Sequence, residues 1–351
     1  MISIIVCTYN GSWKLENTLA SFSRLSIAAE VPWELVVVDN GSTDNTAHII
    51  GQFAATSQIS VRYVFEPKQG KSFALNTGVR AARGDLLAFT DDDVMVDRNW
   101  LTNLERIFAQ FDCIGVAGRV VPVWWGPKPK WLELEDQQAV VQFEYGEEQK
   151  TLDLPPNGAN MAFRRIAFEK YGLFRVDVGK RKDACGIEDR EFGVRLLTAG
   201  QNIVYAPQAV IYHPVDPARL RKNYFRRWAY SFGRQLMRSG SRPQDAVRYF
   251  GIPRYLFRSL LTNSSRWAST RDRKRRFQHL LHVYRDLGSI SEGWLNRTLQ
   301  HGIPLSQPSS GGQTTGATAG GIGLSRPGQL EDFPAPANSD YTAPSPHLTV
   351  Q

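Results

Sequence analysis

No stretch of this 351-residue chain approaches the run of roughly 18 apolar residues that a membrane-spanning helix requires. The chain is therefore not expected to cross a bilayer, which leaves open that it lies on one. Cysteine is scarce: Cys7, Cys113 and Cys185 are an odd, scattered set with no CxxC pair and no metal-type spacing. That pattern fits a reducing, cytoplasmic compartment better than a disulfide framework. A phosphate-binding P-loop and a GxGxxG dinucleotide fingerprint are also missing. The opening Met1-Ile-Ser-Ile-Ile-Val-Cys-Thr-Tyr-Asn lacks a basic flank and a small-residue cleavage site, so it reads as a first buried strand rather than a leader.

What is present is ordinary globular material, 42% hydrophobic and 22% charged, long enough for two modest domains or one large α/β domain with an extension. Charge is distributed unevenly. Residues 216–300 hold 19 Lys/Arg against 5 Asp/Glu, so this stretch carries +14 of a total of +8 and the remainder sums to −6. An acidic front and a strongly basic back suggest separate jobs.

Four segments emerge. Residues 1–97 alternate apolar runs (Ile2–Cys7, Trp33–Val38, Ser60–Phe65, Leu86–Thr90) with helix candidates at 13–24, 43–54 and 71–82, the mark of βαβ units and a mainly parallel sheet. Leu35-Val36-Val37-Val38 is continuously apolar, as expected when both sheet faces are covered. Residues 98–215 continue as mixed α/β, with a Trp/Pro-rich loop at Val123–Trp131 whose Trp124, Trp125 and Trp131 suit either sugar stacking or packing. Residues 216–302 read as basic amphipathic helix, with Leu220, Tyr224, Trp228, Phe232 and Leu236 marking one face. From 303 to 351 the Pro/Ser/Gly/Thr/Ala-rich composition predicts a disordered tail.

Three carboxylate sites carry the chemistry. Val38-Asp39-Asn40-Gly41-Ser42-Thr43-Asp44 puts Asp39 at the carboxyl end of a strand, where open α/β sheets bind ligands. The same residues also suit a turn and helix cap, with Ser42 or Thr43 capping. In Thr90-Asp91-Asp92-Asp93, successive carboxylates repel one another, and a divalent cation such as Mg²⁺ or Mn²⁺ relieves the repulsion. Asp91 and Asp93 share a face if the strand continues, with Asp92 opposed. Gly186-Ile187-Glu188-Asp189-Arg190-Glu191-Phe192 opens a helix with an inner face of Phe192, Leu196 and Ala199 and a stop at Gly200. A carboxylate at such a start suits either a cap or a general base toward a hydroxyl.

In order, Cys7-Thr8-Tyr9-Asn10, Asp39 to Asp44, Lys68-Gln69-Gly70-Lys71, Asp91-Asp92-Asp93 and Glu188-Asp189 resemble glycosyltransferase family 2 over roughly residues 1–215. The resemblance implies an inverting enzyme with the GT-A fold, a Rossmann-like, mostly parallel sheet flanked by helices. It further implies that Thr8 and Asp39 hold the nucleoside, Tyr9 lines the entrance, and Lys71, Asp91 and Asp92 lie against the nucleotide sugar. Asp91 and Asp93 stand for the DxD metal pair, with His213 where some relatives carry a metal or diphosphate ligand. Asp189 stands for the catalytic base, and Asn157, Gly158, Asn160 and Glu188 frame the donor sugar and acceptor. Tyr224 to Trp228 is similar to the Gln-x-x-Arg-Trp motif of processive members, with Tyr224 in place of Gln and Arg227 in a position to meet the diphosphate. A UDP-sugar donor, a glycan or lipid-linked acceptor and a cell-envelope or exopolysaccharide setting follow from the same resemblance.

The run Arg271-Asp272-Arg273-Lys274-Arg275-Arg276 and the amphipathic stretch 219–238 suit an anionic membrane surface and a peripheral location on it. Nucleic acid is not expected, because no recognition signature accompanies the basic patch. Two rival readings are an inactive scaffold that binds through residues 216–300 and a sugar nucleotidyltransferase. The latter requires a Gly-rich, Arg-containing loop after the first strand, and Tyr9-Asn10-Gly11-Ser12-Trp13 is not one.

Overall fold

The computed structural model describes residues 1–28, 30–132, 139, 145–180, 185–240 and 247–301. The segment 303–351, expected to be a disordered tail, lies outside them. In the front half, β1 (Ile2–Thr8), β2 (Trp33–Asp39), β3 (Val61–Phe65) and β4 (Leu86–Asp91) alternate with α1 (Ser12–Phe22), α2 (Thr46–Thr56) and α3 (Lys71–Ala81). Each apolar run has become a strand and each amphipathic interval a helix. The first four strands are parallel, in the order β3-β2-β1-β4.

One sheet continues through the second half rather than closing at residue 97. It adds β5 (Met95–Val96), then α4 (Trp100–Gln110), β6 (Gly115–Trp124), β7 (Lys150–Leu152), β8 (Asn160–Arg164), α5 (Arg165–Tyr171), α6 (Glu188–Thr198) and the long β9 (Ile203–Val215). Strand β8 runs antiparallel between β4 and β6, while β6 and β9 are parallel. Strand β2 explains its own sequence: Leu35 and Val37 belong to one core cluster and Val36 and Val38 to the other, so both faces are covered. The second cluster is aromatic, with Phe168 stacked on Phe192 at 4.6 Å and Phe163 edge-on to Phe192 at 5.0 Å. That packing anchors α6 against the sheet.

Helix α6 departs from expectation at its end. Ala199 is its exposed C-cap rather than a core residue, and Gly193 takes the inner position, where a Cβ would meet Pro155 and Pro156 at 2.6 and 2.7 Å. Gly200 stops the helix with φ +73°, a conformation that costs glycine little.

Behind the sheet, α7 (Lys222–Ser239), α8 (Arg254–Ser269) and α9 (Arg273–His301) pack together, with the short hairpin β10 (Arg248–Tyr249) and β11 (Ile252–Pro253) between α7 and α8. None of the helices among the described residues is long and apolar enough to span a membrane. The buried face of α7 is Phe225, Ala229 and Gly233, one residue round from the predicted Tyr224, Trp228 and Phe232, which are only half-buried. This face is covered by the protein itself: Phe225 and Ala229 join Val215, Leu132, Phe277 and Leu281 in a third core cluster. The apolar side of 219–238 is therefore not free for a membrane. Trp131 proves a packing residue, edge-on to Phe225 at 5.1 Å and to Phe277 at 5.3 Å, whereas Trp125 is exposed.

Polar groups also join the three helices. Glu292 of α9 is buried and receives Arg234 at 2.8 Å and Arg238 at 2.6 Å from α7. Asp286 accepts from Ser259 at 2.7 Å and Asn263 at 2.8 Å on α8. Helices α7 and α9 cross at glycines: a Cβ on Gly233 would collide with the carbonyl oxygen of Arg285, and one on Gly288 with that of Tyr230. Gly233→Ala is therefore expected to destabilise the protein by about 1–3 kcal/mol through overpacking. Gly51→Ala, on helix α2 with nothing within 4 Å of the new methyl, should stabilise it by up to about 1 kcal/mol. Urea unfolding of the two variants beside the parent measures the contrast.

Candidate active site

The strand register delivers the site residues to one edge. Thr8 pairs with Asp39, Cys7 with Asp91, and Thr90 with Asn160, so the carboxyl ends of the parallel strands finish together. Asp39 is buried there and used within the chain: its Oδ1 accepts from the Ser42 amide at 2.8 Å and its Oδ2 from the Tyr63 hydroxyl at 3.0 Å. Ser42 and Thr43 do not cap the following helix. Ser42 accepts from the Asn10 amide, the Thr43 amide donates to Asn10, and α2 begins only at Thr46, whose amide and hydroxyl bond Asp44. Tyr9 is half-exposed beside this turn, and Gly41 completes it with φ +75°.

The strand does not continue through the three aspartates: β4 ends at Asp91, and Asp92 and Asp93 part in the turn that follows. Asp92 turns back into the protein, where Lys14 reaches its Oδ1 at 2.7 Å and Thr18 bonds its carbonyl at 3.0 Å. Burial and the Asp93 charge raise its pKa against the pull of Lys14. Asp91 and Asp93 point the other way and meet His213, whose Nε2 lies 3.9 Å from Asp91 Oδ2 and 3.5 Å from Asp93 Oδ1. The cause is topological: β5 pairs antiparallel with β9, Met95 opposite Tyr212, which lays the end of β9 beside the aspartate turn.

The donor set fits a hard divalent cation. One ligand atom from each of Asp91, Asp93 and His213 lies within 4.8 Å of the others. The His213 Nδ1 sits 2.9 Å from the Pro214 carbonyl, which can only accept, so Nδ1 keeps its proton and Nε2 faces the cluster, where it can donate to the carboxylates or offer a lone pair to a metal ion. Lys71 occupies the remaining Asp91 oxygen at 2.6 Å. Burial alone would raise Asp91, but Lys71 and His213 hold it well below the usual carboxylate range. Burial likewise would lower Lys71, and Asp91, Glu188 and Asp189 together hold it above its ordinary value.

A cavity of about 600 Å³ opens against this cluster. Lys71, Asp91, Asn157, Gly158, Glu188, Asp189 and His213 line it from the sheet side, and Arg227 faces them from α7. Asp189 is fixed at the α6 start, Oδ2 accepting from the Gly158 amide at 2.6 Å and Oδ1 from the Arg190 amide at 2.8 Å. Gly158 is required for that contact, since a Cβ there would stand 2.7 Å from Asp189 Oδ2. Burial raises the Asp189 pKa, with Lys71 and the two amides opposing. Glu188 is buried with Oε2 unpartnered, and burial plus the Asp189 charge push it up to about 7.

Asn160 belongs elsewhere. Its side chain is fully buried, donating to the Arg119 and Ala209 carbonyls and accepting from the Trp100 indole, so it braces the strands instead of framing a sugar. Thr8, Tyr9 and Asp39 share the sheet edge but do not line this cavity. Sequence reasoning missed Lys14, Lys180, Arg219 and Arg221. Lys14 is 78 residues from its aspartate partner and carries no local signal, while the arginines were visible only as part of a basic region.

Comparison with known proteins agrees with this fold. Residues 3–172 match the family model for glycosyl transferase family 2. The chain is 28% identical over 219 residues to the succinoglycan biosynthesis protein ExoM of Rhizobium meliloti, spanning 62% of this chain and 68% of that one. It is 23% identical over 242 residues to the glucosyl-dolichyl phosphate glucuronosyltransferase of Haloferax volcanii, spanning 67% and 77%. In fold it is similar to the mannosyltransferase PcManGT of Pyrobaculum calidifontis, solved with GDP-Man and Mn²⁺, with TM-score 0.57, 20% identity, and 84% and 87% of the two chains covered. It is also similar to GalNAc-T7, solved with UDP, GalNAc and Mn²⁺, with TM-score 0.50, 16% identity, and 69% and 51% covered.

The Glu188 carboxyl makes stability depend on pH. Its folded pKa of about 7 exceeds the ordinary 4.5, so the folded protein binds the extra proton between those values and loses stability as pH rises through them. Glu188→Gln should remove this loss, worth up to ~3 kcal/mol. The variant's unfolding midpoint in chelator should gain on the parent's between pH 5 and pH 8, and parallel pH profiles would refute the assignment.

Proposed function

The chain is a member of glycosyltransferase family 2, and from that premise we propose that it transfers a sugar from a nucleoside diphosphate sugar to an acceptor hydroxyl with inversion at the anomeric carbon. The observation that supports this most is the convergence of two different carboxylate sets on one cavity. Asp91 lines it beside His213, with Asp93 completing their cluster, and Asp189 stands apart from that cluster with its own backbone supports. The donor nucleoside lies along the strand ends at Thr8, Tyr9 and Asp39, and its diphosphate reaches the aspartate turn. Mg²⁺ or Mn²⁺ held by Asp91, Asp93 and His213 would supply charge neutralisation for the leaving diphosphate. Arg227, which also lines the cavity, adds a positive group near the same developing charge.

Asp189 is the general base. The acceptor oxygen forms a bond to the anomeric carbon as the bond from that carbon to the diphosphate oxygen breaks, and Asp189 takes the hydroxyl proton. Its amide hydrogen bonds hold the carboxylate in one orientation, and its raised pKa makes it a better proton acceptor than an exposed aspartate. A single displacement needs no covalent nucleophile, and the transition state is oxocarbenium-like, as in glycoside hydrolysis. The acceptor is a glycan of cell-envelope or exopolysaccharide type, lipid-linked or polymeric. The wholly exposed Arg271–Arg276 run supports a peripheral position at an anionic membrane surface.

The Pyrobaculum structure holds GDP-Man and the GalNAc-T7 structure holds UDP, so the first titration spans both bases. Calorimetry with a panel of nucleotide sugars and Mn²⁺ is expected to find one nucleotide class binding, and Asp93→Ala or chelator should weaken that binding at least tenfold. A folded parent that binds none of them would overturn the donor site. Asp189→Asn is expected to lower kcat about 10²–10⁴-fold with nucleotide affinity retained. Gly158→Ala should also depress kcat by displacing the Asp189 carboxylate while leaving the unfolding midpoint nearly unchanged, and steady-state kinetics beside thermal melts will test the pair.

A further inference from the structure

The cavity carries more positive charge than a donor uses. Among the described residues Lys71, Lys180, Arg219, Arg221 and Arg227 line it, against the three carboxylates of Asp91, Glu188 and Asp189. Lys71 is already committed to Asp91. A nucleoside diphosphate sugar bears two negative charges and a divalent cation two positive ones, so donor binding leaves the surplus where it was.

The surplus is concentrated in Lys180, Arg219 and Arg221. Among the described residues none of these three has a carboxylate within ion-pair distance or any other side-chain partner. They come from three places in the chain: the loop between α5 and α6, the 3₁₀ turn Pro217–Arg219, and the residue capping α7. Desolvation and the charges of Lys71 and Arg219 depress the Lys180 pKa against the pull of Asp91 and Asp93, which places Lys180 and Arg219 within reach of one another's fields. Gathering like charges at a cavity wall opposes folding, and a bound anion relieves it. The positive end of α7 opens in the same place, since Arg221 provides no side-chain acceptor for its first amides. Beside Lys180, where a Cβ on Gly186 would meet both residues, the buried and unpartnered Glu188 Oε2 is suited to a ligand hydroxyl.

Resting on the donor reading above, we propose that Lys180, Arg219 and Arg221 form a second anion subsite that takes a phosphate group of the acceptor. The acceptor is then a phosphorylated or diphosphate-linked glycan, and a neutral sugar is a poor substitute. Phosphate fits because guanidinium forks pair with it in two-point contacts, and two of the three groups are arginines.

The test loads the full chain with saturating nucleoside diphosphate and Mn²⁺, then titrates farnesyl diphosphate, glucose 1-phosphate and octyl glucoside by calorimetry. At least one phosphate-bearing probe should bind the loaded protein while octyl glucoside does not. Tighter binding of the prenyl diphosphate assigns a lipid-borne source, and tighter binding of the sugar phosphate a soluble one. The double substitution Arg219→Gln with Arg221→Gln should weaken the phosphate-bearing probe at least tenfold and leave nucleotide affinity within about twofold. Arg219→Lys with Arg221→Lys should restore part of the loss and serves as the control for folding. No phosphate-bearing probe binding to the loaded parent would overturn the subsite, as would an equal loss of nucleotide affinity in the glutamine variant. Failure of the parent to bind nucleotide at all would instead overturn the donor reading and this inference with it.

Discussion

Five carboxylates, Asp91, Asp92, Asp93, Glu188 and Asp189, stand at one edge of the sheet, and the cost of holding them together shapes everything around it. Each has a different remedy. Asp92 turns inward to Lys14, Asp91 pairs with Lys71, Asp93 faces His213, and Asp189 takes two backbone amides. Glu188, with an unpartnered oxygen, answers by holding its proton up to about 7. The separation of these remedies gives the site its chemistry. Asp91 is held ionised beside cations, whereas Glu188 and Asp189 are buried and made more basic. Acids with opposed pKa shifts in one cavity suit a cation site and a proton acceptor respectively.

The helical region is part of that arrangement. Residues 218–228 form one wall of the cavity, so the basic character of the back half is partly turned toward the acidic front. Its attachment runs through the loop that leads into α6. Arg175 donates to the Ser239 carbonyl at 2.7 Å, the Cys185 amide bonds Ser231 at 2.8 Å, and Ser72 on α3 bonds the Arg175 carbonyl at 2.9 Å. The helix that carries Asp189 is thus tied both to the sheet, through the stacked phenylalanines, and to α7. Buried Glu292, clamped by Arg234 and Arg238, sets how α7 lies on α9. A buried ion pair adds little net stability but penalises any arrangement that separates its members.

Much of this was legible in the order of residues. Strand periodicity located β1 to β4 almost to the residue, because a parallel sheet covered on both faces leaves continuous apolar runs that nothing else explains. Asp92 does part from Asp91 and Asp93, but the turn after Asp91 separates them, not the continued strand that the alternation assumed. The helix face of α7 was misread by one position because Tyr224, Trp228 and Phe232 are large and regularly spaced, whereas the closest packing is made at Phe225, Ala229 and Gly233. Small residues at a helix crossing look like absences of signal. Asn160 misled for a related reason: its neighbours Asn157 and Gly158 do line the cavity, but strand alternation turns its own side chain into the core.

The sequence by itself determined the local chemistry: strands ending in carboxylates, a helix opening with Glu188 and Asp189, an acidic front and a basic back. These are properties of neighbours in the chain, and periodicity reports them. Only the tertiary structure decided which distant groups share a space. Lys14 meets Asp92 across 78 residues, His213 reaches Asp93 because β9 pairs with β5, and Lys180 stands with Arg219 and Arg221 because α7 folds back over the strand ends. Such contacts depend on strand order and helix docking, where a one-residue change of register would redirect every side chain to the opposite face.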